Sequence, residues 1–319
     1  MVSRNSVAKN HSRIMQASCQ YRFSIVTPTY NRAHLLERLC ASLEAQTLHD
    51  FEWIVVDDGS ADDTRRVMKR LSAKASFPIA YIQQPNSGKH VAVNAGIRTA
   101  RGYFVGILDS DDKYTPNALN SCWMHWRRIP EVDQEGFVGL TGLCASEDGC
   151  IIGNRFPADL FDSDPIECHT LYKIKGDKKG FQRTDVLRQF PFPENLGRFV
   201  PEAIVWNRVS RHFKTRYLNE VWAVVEYRRD GLTAHTVSSR VNSPQAASLY
   251  YQELLRGGRA LPFSSSIRNS ANLLRFSLHA RSLVNCAPVP KAPLALSVPL
   301  GLALYLRDKI KLATQPSLL

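Results

Sequence analysis

The sequence predicts an α/β fold, in which a mostly parallel sheet is flanked by helices and followed by a helical C-terminal extension. In the first half of the 319 residues, apolar runs typical of buried strands alternate with amphipathic helical patterns. Each apolar run ends in polar residues, and helical patterns dominate after residue 241. Repeated strand–helix units of this length specify a parallel sheet, because each crossover helix returns the next strand in the same direction.

The alternating patterns set the order of the elements. Strands are predicted at 23–27, 51–56, 79–82 and 103–108. Helices are predicted between them at 33–46, 62–72 and 88–100. After Pro130 the pattern changes, and it predicts a hairpin at 137–145 and 150–152, an irregular segment at 159–179, helices at 184–189 and 202–212, and a strand at 221–227.

Composition and charge divide the chain further. We expect a flexible leader at 1–21, one α/β domain at 22–235 and a helical, basic extension at 241–319. Hydrophobic content of 44% excludes a wholly disordered chain. The formal charge is +12, and from Tyr251 onward nine Lys and Arg stand against two acidic residues. Seven cysteines without a CxxC pair, and no signal-peptide pattern, indicate reduced thiols in a cytoplasmic protein.

Three carboxylates follow the fourth predicted strand directly. Asp109, Asp111 and Asp112 stand within four positions, where like charges repel and raise each other's pKa. A divalent cation between them would relieve the repulsion, and hard oxygen ligands suit Mg²⁺ or Mn²⁺. A metal at the end of a strand suggests a ligand that carries phosphate. The alternative is a solvated acidic turn that caps the next helix.

Two other polar loops point to a nucleotide. Asp57 and Asp58 follow the second strand, where a carboxylate could accept a hydrogen bond from a base N–H. The alternative is a strand-to-helix turn with capping side chains. Gly88 and Lys89 open the third helix, whose N-terminus favours anions and whose lysine could reach a phosphate. The spacing of a P-loop is absent.

Five motifs in order resemble the family 2 glycosyltransferases of the GT-A fold. They are Val26–Asn31, Val55–Ser60, Asn86–Lys89, Asn94–Gly96 and Leu108–Asp112. The resemblance is strong over about 22–130 and weaker to about residue 230. It implies that 22–130 binds a nucleotide-sugar donor, with a UDP- or dTDP-sugar expected, and that 131–235 binds the acceptor.

The resemblance also implies roles for individual residues. The base pocket would be lined by Thr27, Pro28 and Tyr30, and the base would be contacted by Asp57 or, less favoured, Asp58. Lys89 and Asn94 would border the nucleotide. Asp109 would lie near the ribose and the metal, Asp111 would bind the Mn²⁺ or Mg²⁺, and Asp112 is an alternative ligand.

Members of this family resemble inverting enzymes, which need a base for the acceptor hydroxyl. An acidic pair usually stands before a helix that carries Trp and Arg, and Glu202 matches its first member. Ala203 stands where the second acid would be, which leaves open a non-catalytic nucleotide-sugar-binding or scaffold protein. A carboxylate favoured by the helix dipole is the other explanation of Glu202. Glu194 and Asp185 are weaker base candidates.

The apolar run in the C-terminal extension suggests contact with a membrane. Residues 292–306 carry no charge, and Arg307, Lys309 and Lys311 follow. We expect an acceptor that is a glycan or a polyprenyl-linked lipid, and peripheral contact through 292–311 with the inner face of the cytoplasmic membrane. A helix packed on the protein itself is the alternative. No nucleic-acid partner is expected, because the basic residues lack an interleaved aromatic platform.

Overall fold

The computed structural model describes residues 19–226, 240–256, 261–281 and 291–314. Most of the predicted leader, residues 1–18, therefore lies outside the described residues. The chain divides into two compact units. The first contains the residues up to Pro191 and His212–Glu226, and the second contains Phe192–Arg211 and the residues after Glu226.

The first unit is a sheet with helices. Its strands are β1 (Tyr21–Thr29), β2 (Phe51–Asp57), β3 (Ile79–Gln83), β4 (Gly102–Ile107), β5 (Lys113–Tyr114), β6 (Phe137–Ala145), β7 (Leu160–Ser163), β8 (Lys178–Arg183) and β9 (Lys214–Val224). Its helices are α1 (Ala33–Glu44), α2 (Thr64–Ser72), α3 (Lys89–Thr99), α4 (Ala118–Arg127), α5 (Pro165–Thr170) and α6 (Thr184–Gln189). All four strands and all three helices predicted before residue 109 are present.

The sheet is mixed, with four parallel and four antiparallel strand pairings among the described strands. Within the described ranges its order is β3-β2-β1-β4-β8-β6-β9-β5, and β7 pairs with β9. The strands β1 to β4 are parallel to one another, and β8 enters antiparallel between β4 and β6. The register sets Thr29 beside Asp57 and Asp57 beside Gln83. The loops that follow the first four strands therefore meet at one edge of the sheet.

The second half of the first unit differs from the sequence prediction. The predicted hairpin at 137–145 and 150–152 is present only as a short one, in which an antiparallel bridge joins Ala145 to Ile151 and the Ile152 N–H donates to the Cys144 carbonyl at 2.9 Å. All of β6 is buried, so both of its edges need partners, and these come from the distant β8 and β9. The segment 159–179, predicted irregular, contains β7, α5 and the start of β8. The predicted strand at 221–227 begins seven residues earlier, at Lys214.

Aromatic side chains from neighbouring strands form the core of the first unit. Phe23, Phe104 and Phe181, from three neighbouring strands, are fully buried. Their rings lie close together, with centroids 5.6 Å apart for Phe23 and Phe104 and 5.2 Å apart for Phe23 and Phe181. Trp126 of α4 packs edge-on against Phe104. Aromatic contacts of this kind add to the burial of apolar area and fix the spacing between helix and sheet.

The second unit is helical in its described part. It contains α7 (Ala203–Val209), α8 (Pro244–Leu255), α9 (Phe263–Ala280) and α10 (Lys291–Thr314). The buried carboxylate of Glu253 on α8 binds two arginines, with Arg208 Nε at 3.0 Å and Arg211 Nη2 at 2.8 Å. These ion pairs anchor the end of α7 to α8. Among the residues described here, none of the helices has the length and apolar character needed to cross a membrane.

Candidate functional site

The acidic turn lies at the carboxyl edge of the sheet. The strand β4 is wholly buried and ends at Ile107, and the chain then turns so that the Asp112 N–H donates to the Asp109 carbonyl at 3.0 Å. The next two residues form β5, which pairs with the end of β9. The turn is thus held between two strands of the sheet, and its three carboxylates lie at the edge where ligands bind in such folds.

Each carboxylate of the turn is paired with a basic side chain from another element. The pairs are Lys89 Nζ with Asp109 Oδ1 at 2.6 Å, Lys179 Nζ with Asp112 Oδ2 at 2.6 Å, and Arg32 Nη1 with Asp111 Oδ2. Lys179 also lies 3.8 Å from Asp109 Oδ2. The protein's own cations therefore balance the like charges that the sequence brings together.

Burial and neighbouring charges shift the pKa values of Asp109 and Asp112 in opposite directions. Burial alone would raise the pKa of Asp109, but Lys89 and Lys179 hold that pKa well below its ordinary value. Burial raises the pKa of Asp112 to about 6 against the attraction of Lys179, and the charge of Asp109 adds to the rise. Burial would lower the pKa of Lys179, whereas the carboxylates of Asp112 and Asp109 raise it well above its usual range. Asp109 is thus the more firmly ionised of the two carboxylates.

Lys179 is an unusual residue for its position. It lies in the central strand β8, opposite Gly142 of β6, and only 14% of its side chain is exposed. A buried charge is costly unless it is paired, so the ion pair with Asp112 is what makes a lysine tolerable in this strand.

Replacing Lys179 with methionine is expected to destabilise the protein by about 3–5 kcal/mol, because the buried Asp112 loses its cation. The double variant Lys179→Met, Asp112→Asn removes both charges and should recover a large part of this loss. Urea or thermal unfolding of the two single variants and the double variant measures the coupling. Equal destabilisation in Lys179→Met and in the double variant would contradict the ion pair.

Asp58 organises the loop before α3. Its carboxylate accepts hydrogen bonds from the Gln84 side chain at 2.8 Å, the Ser87 N–H at 2.9 Å and the Gly88 N–H at 2.8 Å. Gly88 has φ of 103°, a conformation that favours glycine, and α3 begins at the next residue. Asp58 thereby fixes the start of the helix that carries Lys89.

We expect Asp58→Ala to cost about 2–3 kcal/mol of stability, since two backbone N–H groups lose their buried acceptor. It should also weaken nucleotide binding indirectly, by loosening the loop that positions Lys89. Thermal unfolding and nucleotide titration measure the two effects. The exchange Asp63→Ala, at an exposed residue paired with Arg66, is the control and should change neither.

Asp57 is also engaged within the protein. Its Oδ1 accepts from the Ser60 N–H at 2.8 Å, and its Oδ2 accepts from the Tyr81 hydroxyl at 2.5 Å. Burial, together with the hydrogen bond to Asp57, raises the pKa of Tyr81. Asp57 and Asp58 are both buried, and their contact with a nucleotide base stays a prediction.

The residues predicted to line the base pocket differ in exposure. Thr27 is fully buried and its hydroxyl accepts a hydrogen bond from Trp53 Nε1 at 2.9 Å, so it has a structural role in the sheet. Pro28 is buried at the end of β1, whereas Tyr30 is 49% exposed beyond it. Asn94 is buried on α3, one helical turn beyond His90. Contacts of these residues with a nucleotide stay predictions.

Glu202 belongs to the second unit. It is half-buried and immediately precedes α7, and its backbone carbonyl accepts hydrogen bonds from the Val205 and Trp206 N–H groups at 3.0 Å and 3.4 Å. Its side chain makes no capping hydrogen bond to the helix. Of the weaker candidates, Asp185 forms a two-point ion pair with Arg183, and Glu194 is exposed. The assignment of a base among them stays a prediction.

The acidic turn fits a divalent cation by the type of its ligands. Mg²⁺ is commonly bound through one or two carboxylates together with substrate phosphates, rather than in a cage of protein ligands. In the described part of the chain, no group of three His, Cys, Asp or Glu side chains could hold a metal ion by itself. Asp109 and Asp111, which are partly exposed, are the residues that would share a cation with a bound phosphate.

Two basic residues of this site escaped the sequence analysis. Arg32 precedes α1 and pairs with Asp111, and Lys179 pairs with Asp112. A lysine within a central strand would have indicated a buried ion pair at Lys179, but β8 itself was not predicted. Arg32 gave no signal, because its partner lies 79 residues away.

Part of the chain matches a known protein family. Residues 24–135 match the family model described as glycosyl transferase family 2. Over 221 residues the chain is 27% identical to the GalNAc(5)-diNAcBac-PP-undecaprenol beta-1,3-glucosyltransferase of Campylobacter jejuni, an alignment that covers 66% of this chain and 67% of that protein. The chain spans only about a third or less of other curated relatives, among them an Escherichia coli chondroitin synthase.

Two solved structures share the fold at low sequence identity. S. aureus TarS 1–349 in complex with UDP-GlcNAc aligns with a TM-score of 0.59 and 19% identity, over 86% of this chain and 83% of that one. The mannosyltransferase PcManGT from Pyrobaculum calidifontis, in complex with GDP-Man and Mn²⁺, aligns with a TM-score of 0.54 and 19% identity, over 98% and 92%.

The protein has the GT-A fold that these two solved structures share. Residues 24–135 are its glycosyl transferase family 2 domain, which confirms the resemblance drawn from the five motifs.

Proposed function

We propose that this protein transfers a sugar from a UDP- or dTDP-sugar to a glycan or a polyprenyl-linked lipid, with inversion at the anomeric carbon and with Mn²⁺ or Mg²⁺. The observation that carries the proposal is the acidic turn, where Asp109 and Asp111 stand partly exposed at the carboxyl edge of the sheet. Carboxylate oxygens suit a divalent cation, and the basic side chains beside them suit the diphosphate that the cation would accompany.

The donor would bind across the loops that follow β1 to β4. Asp57 or Asp58 is proposed to receive a base N–H, with Pro28 and Tyr30 beside the base. Lys89 begins α3, so its charge and the N-terminus of that helix both favour phosphate. A divalent cation held by Asp109 and Asp111 would neutralise the charge that develops on the departing nucleoside diphosphate.

The acceptor hydroxyl must lose a proton as its oxygen attacks the anomeric carbon. We propose that the carboxylate of Glu202 takes this proton while the bond from the anomeric carbon to the diphosphate oxygen breaks. Attack from the face opposite the leaving group inverts the configuration. Glu202 then returns the proton to solvent.

A lipid-linked acceptor would bring the protein to the inner face of the cytoplasmic membrane. The support is the Campylobacter jejuni relative, a GalNAc(5)-diNAcBac-PP-undecaprenol beta-1,3-glucosyltransferase.

Thermal unfolding with a panel of nucleotides tests the donor proposal. UDP or dTDP with Mn²⁺ should raise the unfolding temperature, whereas GDP, and either nucleotide without Mn²⁺, should raise it less. At a ligand concentration of 100 times the dissociation constant, linkage predicts a stabilisation of about 2.7 kcal/mol. Equal shifts with all nucleotides, or no dependence on Mn²⁺, would refute the donor class or the metal.

A non-catalytic nucleotide-sugar-binding protein is the second candidate. Ala203, where an acidic partner of Glu202 is expected, favours it. Hydrolysis of the donor in the presence of Mn²⁺ decides between the two candidates. Turnover that is lost in Asp111→Asn supports the enzyme, and nucleotide binding without any turnover supports the binding protein.

A further inference from the structure

The helix α10 packs with its polar side inward. The residues Ser297, Gly301 and Asp308 are buried, although two of them carry polar side chains. A Cβ atom at Gly301 would lie 2.9 Å from the Ala271 carbonyl oxygen, so the absence of a side chain lets α10 approach α9 closely. The small and polar stripe of α10 is therefore its contact with the rest of the second unit.

An ion pair fixes this orientation. Arg275 of α9 binds Asp308 at two points, with Nε 2.5 Å from Oδ2 and Nη2 2.7 Å from Oδ1. His279 Nε2 lies 3.1 Å from the same Oδ2. Breaking a buried ion pair on one side is costly, so α10 cannot rotate its aspartate outward without leaving Arg275 unpaired.

The opposite side of α10 is apolar and exposed. Its large side chains Leu296, Leu302, Leu306 and Ile310 are at least 40% exposed, and Val298 and Leu300, equally exposed, lie on the two flanks of the helix. Leu302, Leu306 and Ile310 follow at intervals of four residues and so form one stripe along the helix. An uninterrupted apolar stripe on the outside of a helix marks an interaction surface.

Basic residues border this stripe on both sides. Arg307 and Lys311, at helical spacing from each other, lie on one border, and Lys309 lies on the other. All three are exposed, and Lys309 Nζ lies 5.7 Å from the centre of the Tyr305 ring. An apolar face between basic borders matches the interface of a bilayer whose headgroups are anionic.

We propose that the exposed face of α10 lies in the surface of a bilayer that contains anionic lipid, with Leu302, Leu306 and Ile310 among the acyl chains. A second copy of the chain fits this face poorly, because pairing two such helices would bring their basic borders together. The proposal goes beyond sugar transfer and rests on the second unit alone. Its test uses neither donor nor acceptor.

Flotation of the full chain with phosphatidylcholine vesicles, with and without phosphatidylglycerol, tests the surface. Binding is expected only when phosphatidylglycerol is present, and it should fall with added salt. Leu306→Glu and Ile310→Glu should each weaken binding at least about tenfold, since each removes a large apolar side chain from the bilayer. Arg307→Gln, Lys309→Gln and Lys311→Gln combined should weaken it about a hundredfold.

Leu171→Glu is the matched control. Leu171 is 63% exposed in the first unit, and its replacement should leave vesicle binding unchanged. Thermal unfolding of each variant, which should match that of the unmodified chain, excludes misfolding. Equal binding to both kinds of vesicle, or equal losses in Leu171→Glu and Leu306→Glu, would overturn the proposal. A concentration-dependent dimer that Leu306→Glu dissolves would overturn it in favour of a second copy.

Discussion

Replacing Asp111 with asparagine is expected to slow sugar transfer by roughly a hundredfold to a thousandfold, the usual cost of losing one group that stabilises a developing charge. The amide keeps the size of the side chain but loses the negative charge that would hold a divalent cation. The stabilisation of the protein by UDP or dTDP with Mn²⁺ should fall as well, which thermal unfolding measures directly.

The exchange Asp50→Asn provides the matched control for Asp111→Asn. Asp50 precedes β2, at the opposite end of that strand from Asp57, and its ion pair with Arg22 is exposed. The control should retain full activity and full response to Mn²⁺. Because Asp111 also binds Arg32, unfolding without nucleotide must be measured for both variants to separate stability from function. An Asp111→Asn protein with unchanged Mn²⁺-dependent transfer would refute the metal role of this residue.

The second large effect is expected at Glu202. Glu202→Gln should slow transfer by about a hundredfold to ten-thousandfold, since a general base contributes that much to proton removal. Binding of the nucleotide should not change, because the proposed role concerns only the acceptor. A measurement of kcat, together with nucleotide titration, distinguishes this result from a loss of donor binding.

Glu194→Gln is the appropriate comparison for Glu202→Gln, since it makes the same exchange at an exposed glutamate of the same unit. It should leave kcat unchanged. Loss of transfer in Glu194→Gln or Asp185→Asn, with full activity in Glu202→Gln, would move the base to one of those residues. Reduced stability in Glu202→Gln would instead favour the structural explanation at the start of α7.

The first half of the fold was predictable because its signals are local. Each strand from β1 to β4 is a short apolar run that ends in polar residues, and α1 places Leu36, Leu39 and Leu43 on one buried face. Parallel pairing then follows from the crossover connections alone. Since parallel strands end at the same edge of a sheet, the loops containing Asp57, Lys89 and Asp109 lie together for the same local reason.

The strands after residue 130 were harder, because their signals depend on distant partners. β7 and β8 contain charged residues that are not typical of buried strands, and these charges are paired with residues far along the chain. In β7, for example, Asp162 Oδ1 accepts a hydrogen bond from Arg216 Nε of β9 at 2.8 Å. β6 was predicted correctly as a strand, but its pairing with β8 and β9 was not. A buried strand can pair with any segment that the chain brings to its edges.

The sequence by itself determined the αβ alternation, the family 2 motifs and the carboxylates that end β4, because these depend on spacing within a few residues. Only the tertiary structure decided which cation balances each carboxylate, and which side of α10 faces outward. Ion pairs such as Arg32–Asp111 and Arg275–Asp308 join residues far apart in the chain. Their geometry exists only after the backbone has folded, so no local pattern could encode it.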